Sequence, residues 1–344
     1  MRLEAFNYSL PEELIAQSPA EPRDSARMLV LNRSNGQIQH CYVRDLPSVL
    51  PSQTLTVLNT SRVRPSRIPV LSTGGKQYEI LLLSARNQFR YTCLVGGGRV
   101  RTGDQYTLLD GSKAIIIESI PGPGMSTSAI QFTVDPLLLA EIPLPPYIQQ
   151  YQGDRERYQT VYAEQSGSAA APTAGLHLTK ELIAQLQPIA NVTLHVGLGT
   201  FLPLREAEIT NNRLHSEQTN VTMEEAEKIT QCIAANKPLL AVGTTSLRTL
   251  ESRAVAGLLR AGEESTDLFI QPGYRFQTAT SLLTNFHLPK SSLLVLLTAF
   301  LANSPDREIV RSSEQALEMF KKAYAEAIKE RYRFFSFGDA MLVL

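Results

Sequence analysis

The chain has 344 residues, 43% hydrophobic and 19% charged, which is enough to bury more than one core and too apolar for extended disorder. Its 33 basic and 33 acidic side chains cancel, which excludes a protein that coats nucleic acid by bulk charge. Cys41, Cys93 and Cys232 are scattered and form no C-x-x-C pair, and no apolar leader follows Met1. A disulfide framework and a cysteine zinc site are therefore not expected, and a reducing, cytoplasmic compartment is.

Residues 1–65 mix short helix and strand signals, with a strand at Leu55-Thr56-Val57-Leu58 running into Asn59-Thr60-Ser61. Between 66 and 148 short β-rich runs recur, at Tyr78–Leu83, Phe89–Val95, Tyr106–Leu109, Ala114–Ile117 and Ala129–Val134. Glycine turns separate them, which predicts a small antiparallel barrel or sandwich. Ile142-Pro143-Leu144-Pro145-Pro146 reads as a stiff exit.

From 149 to 344 strands and helices alternate. Thr193–Val196 reads as a strand holding His195. Thr222 with Glu225 makes a capping box before a stripe of Met223, Ala226, Ile229 and Ile233. Leu239–Val242, Leu268–Ile270, Leu282–Phe286 and Ala340–Leu344 read as strands. Leu293–Ala302 is too short to span a bilayer and reads as a buried helix, so no membrane role is expected. Ala316, Phe320, Ala323, Ala327 and Ile328 line a last long helix. The simplest architecture is one mixed-sheet α/β domain built from 1–65 and 149–344, with the β-rich piece inserted.

The charge is locally uneven. Between Arg62 and Arg101 eight basic residues face Glu79 alone, a local +7. Arg62, Arg64, Arg67, Arg99 and Arg101 are thus candidates for contacting RNA phosphates. The alternative is a set of solvated strand faces whose arginines point different ways.

Four of the five histidines stand at strand ends or loops among small and polar residues, where open α/β sheets gather ligands. They are His177 after Thr173-Ala174-Gly175, His195 before Gly197-Leu198-Gly199-Thr200, His215 before Ser216-Glu217, and His287 after Asn285. Each could equally be a hydrogen-bonded structural residue. His177 and His287 are the favoured acid–base candidates, because Gly175 and Asn285 would let a ligand approach. His215 could orient Glu217, and His195 reads as structural. No H-x-x-x-H spacing supports a metal site, and none is expected. Gly243-Thr244-Thr245 opens a helix whose amides suit an anion, with Arg248 one turn in as a bidentate clamp. Pro289-Lys290-Ser291 is a second such turn. Tyr332, Phe334, Phe335 and Phe337 could stack on a base or fill a core, and Asp339 beside them fits a core poorly.

Together these runs resemble the S-adenosylmethionine:tRNA ribosyltransferase-isomerase family of queuosine biosynthesis, over essentially the whole chain. The resemblance rests on Leu10-Pro11-Glu12-Glu13-Leu14-Ile15-Ala16-Gln17, Ala171-Pro172-Thr173-Ala174-Gly175-Leu176-His177, His195-Val196-Gly197-Leu198-Gly199-Thr200-Phe201, Gly243-Thr244-Thr245-Ser246-Leu247-Arg248 and Thr284-Asn285-Phe286-His287-Leu288-Pro289-Lys290-Ser291. Small departures are Leu178, where the family has phenylalanine, Thr60-Ser61 in place of Asp-Thr, and Gln271 in place of an aromatic. The resemblance implies an α/β domain with an inserted β-barrel. It also implies transfer of a rearranged ribosyl group from S-adenosylmethionine to 7-aminomethyl-7-deazaguanine at the tRNA wobble position. S-adenosylmethionine is then a consumed co-substrate, and no other cofactor is expected. The small and polar residues of these motifs (Thr173, Gly175, Gly197, Gly199, Thr200, Gly243, Thr244, Thr245, Arg248, Asn285, Lys290 and Asp339) become expected substrate contacts. The competing classes are an S-adenosylmethionine-dependent RNA methyltransferase, for which no early glycine loop is visible, and a non-catalytic RNA binder. A monomer is expected, although no single feature reports oligomeric state.

Overall fold

Alternating strand and helix signals at both ends of the chain meet in one sheet. A computed structural model describes residues 1–96, 100–120, 127–197, 204, 206–304 and 310–344. It divides into two compact units, Met1–Arg62 with Pro145–Leu344, and Val63–Leu144.

The first unit opens with β1 (Arg27–Asn32), β2 (Gln37–Tyr42) and β3 (Leu55–Asn59). The second unit is a closed six-stranded antiparallel barrel of β4 (Arg67–Ser72), β5 (Gln77–Asn87), β6 (Arg90–Gly96), β7 (Gln105–Leu108), β8 (Lys113–Ile120) and β9 (Thr127–Phe132). Alternation along each strand sends Ile68, Val70, Ile80, Leu82, Cys93, Ile116 and Phe132 into its core.

Back in the first unit come β10 (Ile189–Leu194), β11 (Glu217–Val221), β12 (Leu239–Val242), β13 (Gly262–Thr266), β14 (Ser281–Asn285) and β15 (Ala340–Val343). The nine-stranded order is β13-β11-β10-β3-β12-β14-β15-β1-β2. The central strands β10, β3, β12 and β14 are parallel, and β15 is antiparallel to β14. Strands buried on both faces need continuous apolar runs, and β12 and β15 have them. The longer helices are α1 (Met223–Ala234), α2 (Thr244–Arg253), α3 (Ser292–Ala302) and α4 (Ser313–Lys329). The fold class expected from sequence is the one observed: a mixed α/β sheet and a small antiparallel barrel.

Details differ. Leu268–Ile270 is not a strand, and the Leu268 carbonyl accepts from Arg248 Nε at 3.2 Å. Met223 is 66% exposed because α1 turns Ala226, Ile229 and Cys232 inward. β10 ends at Leu194, so His195 follows the strand and is not inside it. Tyr332, Phe334 and Phe337 are buried core residues around the turn before β15, and Phe335, 5% exposed, lines a pocket described below. Among the described residues, no helix is long and apolar enough to cross a membrane.

Candidate active site

Parallel strands deliver their carboxyl ends to one edge of a sheet. Here that edge carries the residues after β10, β12 and β14 and those before β11 and β15, because β11 and β15 run the other way. A pocket opens there, lined among others by Tyr147, Tyr158, Thr173, Gly243, Thr244, Thr245, Thr284, Asn285, His287, Leu288, Phe335 and Ser336.

On the β12 side, Gly243 turns the chain with φ of +89°, a conformation that glycine alone adopts cheaply. Gly243, Thr244 and Thr245 line the pocket, so the positive end of α2 stands at its wall, an environment that favours an anion. The Thr245 hydroxyl is buried there without a protein partner among the described residues.

On the β14 side, Asn285 is 2% exposed and holds three contacts. Its Oδ1 accepts from Thr173 Oγ1 at 2.8 Å, and its Nδ2 lies 3.1 Å from His177 Nε2 and 3.4 Å from the Phe335 carbonyl. A carbonyl only accepts, so the amide nitrogen must face Phe335 and His177. His177 Nε2 is then the acceptor and its proton sits on Nδ1. Burial, reinforced by Arg333, Arg23 and Arg157, lowers the His177 pKa to about 3. His177 therefore stands neutral behind Asn285, and it is Asn285 that lines the pocket.

His287 lines the pocket itself. Its Nε2 lies 2.8 Å from Thr284 Oγ1. Its backbone is pinned on both sides: the amide donates to the Tyr324 hydroxyl at 3.1 Å and the carbonyl accepts from the Tyr8 hydroxyl. Burial lowers its pKa to about 3.

A second cluster stands at the β10–β11 end. Glu217 Oε1 accepts from the Gly197 amide at 2.9 Å, and Oε2 is ion-paired with Arg248 Nη1. Both side chains are under 9% exposed, and Arg248 Nη2 is buried without a partner among the described residues. The helix geometry that brings Arg248 one turn past the anion turn thus spends its guanidinium on Glu217. His215 is exposed, two residues before β11.

The remaining expected contacts are dispersed. Gly175 packs on Tyr162 and Thr160, where a Cβ would collide. Lys290 pairs with Glu4 at 2.6 Å. Asp339 accepts from the amides of Arg27 and Arg333 at 3.1 and 2.8 Å and from Arg333 Nη2 at 3.3 Å, which explains a buried carboxylate in an aromatic turn. Gly199 and Thr200 lie outside the described residues. Sequence reasoning did not single out Tyr8, Tyr147, Tyr324, Thr284 or Ser336. Tyr147 bonds Ser336 Oγ at 2.7 Å and its ring lies 4.9 Å from that of Phe335. Thr284 carried a signal, three residues before His287 in its motif, Tyr147 another after the Pro145-Pro146 exit, and Ser336 a third inside the terminal aromatic run.

The arginine-rich stretch spends much of its charge internally. Arg62 pairs with Glu156 at 2.6 Å, Arg67 with Glu79 and Glu141, and Arg86 with Glu118 at 3.0 Å. Arg64 donates to the Leu82 and Leu83 carbonyls. Arg101 is exposed, and Arg99 lies outside the described residues. Over Val63–Leu144 eight basic residues meet six acidic ones, so the local +7 becomes +2.

An apolar cleft at the carboxyl edge of a mixed sheet, with an imidazole and a helix N-terminus converging on it, defines an α/β enzyme acting on a small-molecule group. A family model described as queuosine biosynthesis protein matches residues 3–343. The S-adenosylmethionine:tRNA ribosyltransferase-isomerase of Symbiobacterium thermophilum is 44% identical over 359 residues, covering 100% of both chains. That of Carboxydothermus hydrogenoformans is 42% identical over 353 residues, again with 100% of both covered. The crystal structure of S-adenosylmethionine tRNA ribosyltransferase from Thermotoga maritima aligns with a TM-score of 0.55 at 34% identity, covering 99% of this chain and 100% of that one. The chain belongs to the queuosine biosynthesis protein family.

Proposed function

We propose that this chain is an S-adenosylmethionine:tRNA ribosyltransferase-isomerase. It transfers and isomerises the ribosyl group of S-adenosylmethionine onto 7-aminomethyl-7-deazaguanine at the tRNA wobble position. Epoxyqueuosine-tRNA, adenine and methionine are the products. The observation that carries the reading is full-length identity of 42–44% to relatives of that name. The pocket at the carboxyl edge of the sheet is consistent with it.

The chemistry sets what the site must do. The sulfonium acidifies the hydrogens on the neighbouring ribose carbon, adenine must leave with the electron pair of its bond to the sugar, and the incoming amine must be neutral. The α2 N-terminus at Gly243, Thr244 and Thr245 takes the methionine carboxylate. Asn285 and Thr173 orient the ribose, and His287 serves the reacting sugar. Glu217 and Arg248 hold the Gly197 amide beside the site, and His177 holds Asn285. Arg101 contacts RNA phosphate, Arg62 and Arg67 would exchange their present ion-pair partners to do so, and Arg64 stays on the Leu82 and Leu83 carbonyls. The protein acts in the cytoplasm as a monomer, with S-adenosylmethionine as a consumed co-substrate.

Incubation with S-adenosylmethionine and tRNA carrying the aminomethyl base tests the reading. Release of free adenine is expected. S-adenosylhomocysteine would make the protein a methyltransferase, and neither product would make it a binder.

A further inference from the structure

Two buried imidazoles stand near the pocket, and their hydrogen bonds differ in kind. His177 faces an amide, whose orientation a backbone carbonyl fixes. His287 faces the hydroxyl of Thr284, which can donate or accept. The protein's own accounting decides which.

Thr284 is 1% exposed, and among the described residues His287 Nε2 is the only hydrogen-bond partner of its hydroxyl. Were Nε2–H to donate to Oγ1, the hydroxyl proton would find no protein acceptor among the described residues. With Oγ1–H donating to Nε2, only a lone pair is unspent, and buried acceptors are left under-satisfied more often than donors. The favoured arrangement has Nε2 bare and the proton on Nδ1. That nitrogen has no described partner and is not among the sealed, unpartnered atoms of the interior, while the ring lines the pocket. Tyr8 and Tyr324 hold the backbone on either side of the ring.

We infer that Thr284 fixes His287 in the Nδ1–H form, so that a neutral imidazole meets the substrate as a hydrogen-bond donor to the departing adenine. The inference rests on the proposed ribosyl transfer. The pocket supports the placement. Its β12 side carries the anion turn, and its β14–β15 side is walled by Tyr147, Leu288 and Phe335, a surface for a flat aromatic base. As the bond from sugar to base breaks, its electron pair passes to adenine. The Nδ1–H bond to a ring nitrogen stabilises that developing negative charge, as a preorganised donor does for an oxyanion. The imidazole keeps its proton, since a neutral ring that surrendered it would be left anionic, and adenine takes its proton from water after release. The lowered pKa of His287 agrees, because it keeps the ring uncharged at neutral pH. His287 is thus a catalytic residue and Thr284 a positioning residue.

The test is nitrogen NMR of protein labelled with ¹⁵N-histidine, simple here because the chain has five histidines. Unmodified protein should show His287 protonated at Nδ1 and bare at Nε2, Thr284→Ser should keep that state, and Thr284→Val should lose it. In kinetics, His287→Gln retains an N–H donor and should keep roughly a tenth of turnover, whereas His287→Leu should lose about 10²–10³-fold. Thr284→Val should slow turnover about tenfold with little change in KM for S-adenosylmethionine, and Thr284→Ser should restore it. A proton on Nε2 in the unmodified protein, or His287→Gln as inactive as His287→Leu, overturns the donor role. If the unmodified enzyme releases no adenine from S-adenosylmethionine with substrate tRNA, it is the functional reading that falls, and the NMR result still decides the tautomer.

Discussion

Removing Arg248 should damage both stability and the site through Glu217. Both side chains of the pair are under 9% exposed, and the guanidinium gives Nη1 to Glu217 and Nε to the Leu268 carbonyl. Arg248→Met keeps the stem and deletes the charge, which takes the Arg248 guanidinium away from the buried Glu217 carboxylate. Breaking one half of such a pair costs about 3–5 kcal/mol. With a urea dependence of about 3 kcal/mol per molar for a chain this size, the midpoint should fall by roughly 1–1.7 M. Replacing both partners, Arg248→Met with Glu217→Leu, leaves no isolated charge and should cost less than Arg248→Met alone. Equilibrium urea unfolding of the two singles and the double gives the coupling directly. KM for S-adenosylmethionine should rise equally in Arg248→Met and Glu217→Gln, since Arg248 acts through the carboxylate that holds the Gly197 amide. A loss under about 1 kcal/mol for Arg248→Met, or an additive double mutant, would refute this reasoning.

Acid should destabilise the protein through its buried histidines. His177 and His287 are held to about 3 in the fold and titrate near 6.5 when unfolded, so their stabilisation is complete above about pH 6.5 and is lost as pH falls towards 3. At pH 5 each should cost about 2 kcal/mol, and His177→Gln should flatten the dependence of unfolding free energy on pH between 6.5 and 4; an unchanged slope would show that His177 is not buried neutral. Gly175→Ala should lose about 1–3 kcal/mol by forcing a Cβ onto the Tyr162 ring and hydroxyl, and Tyr162→Phe should recover part of it in thermal unfolding, since that hydroxyl has no described partner to lose. Arg101→Glu should flatten the salt dependence of tRNA binding by about one unit of slope, whereas Arg64→Gln should leave the slope alone and lower stability, because its guanidinium is spent on the Leu82 and Leu83 carbonyls.

The sequence by itself determined the layers and where chemistry gathers. Apolar runs at Leu239–Val242 and Ala340–Val343 are buried strands because a strand covered on both faces needs a side chain acceptable to each. The glycine-separated runs after Arg67 curl into a barrel because short strands without helical period have only one another to pair with. Strand-end motifs such as Gly243-Thr244-Thr245 and Asn285-Phe286-His287 meet at one edge because parallel strands point the same way. Only the tertiary structure decided what each polar group does there. His177 and His287 have near-equivalent sequence settings, yet one is held by Asn285, 108 residues away, and the other by Thr284, three residues away. Arg248 reads as an anion clamp until Glu217 is found beside it, and the basic stretch reads as +7 until Glu118, Glu141 and Glu156 are placed against it. Local pattern specifies which face of an element is apolar, since that depends on period alone. The partner of a buried donor or charge is set by which distant strands become neighbours, and no local window holds that information.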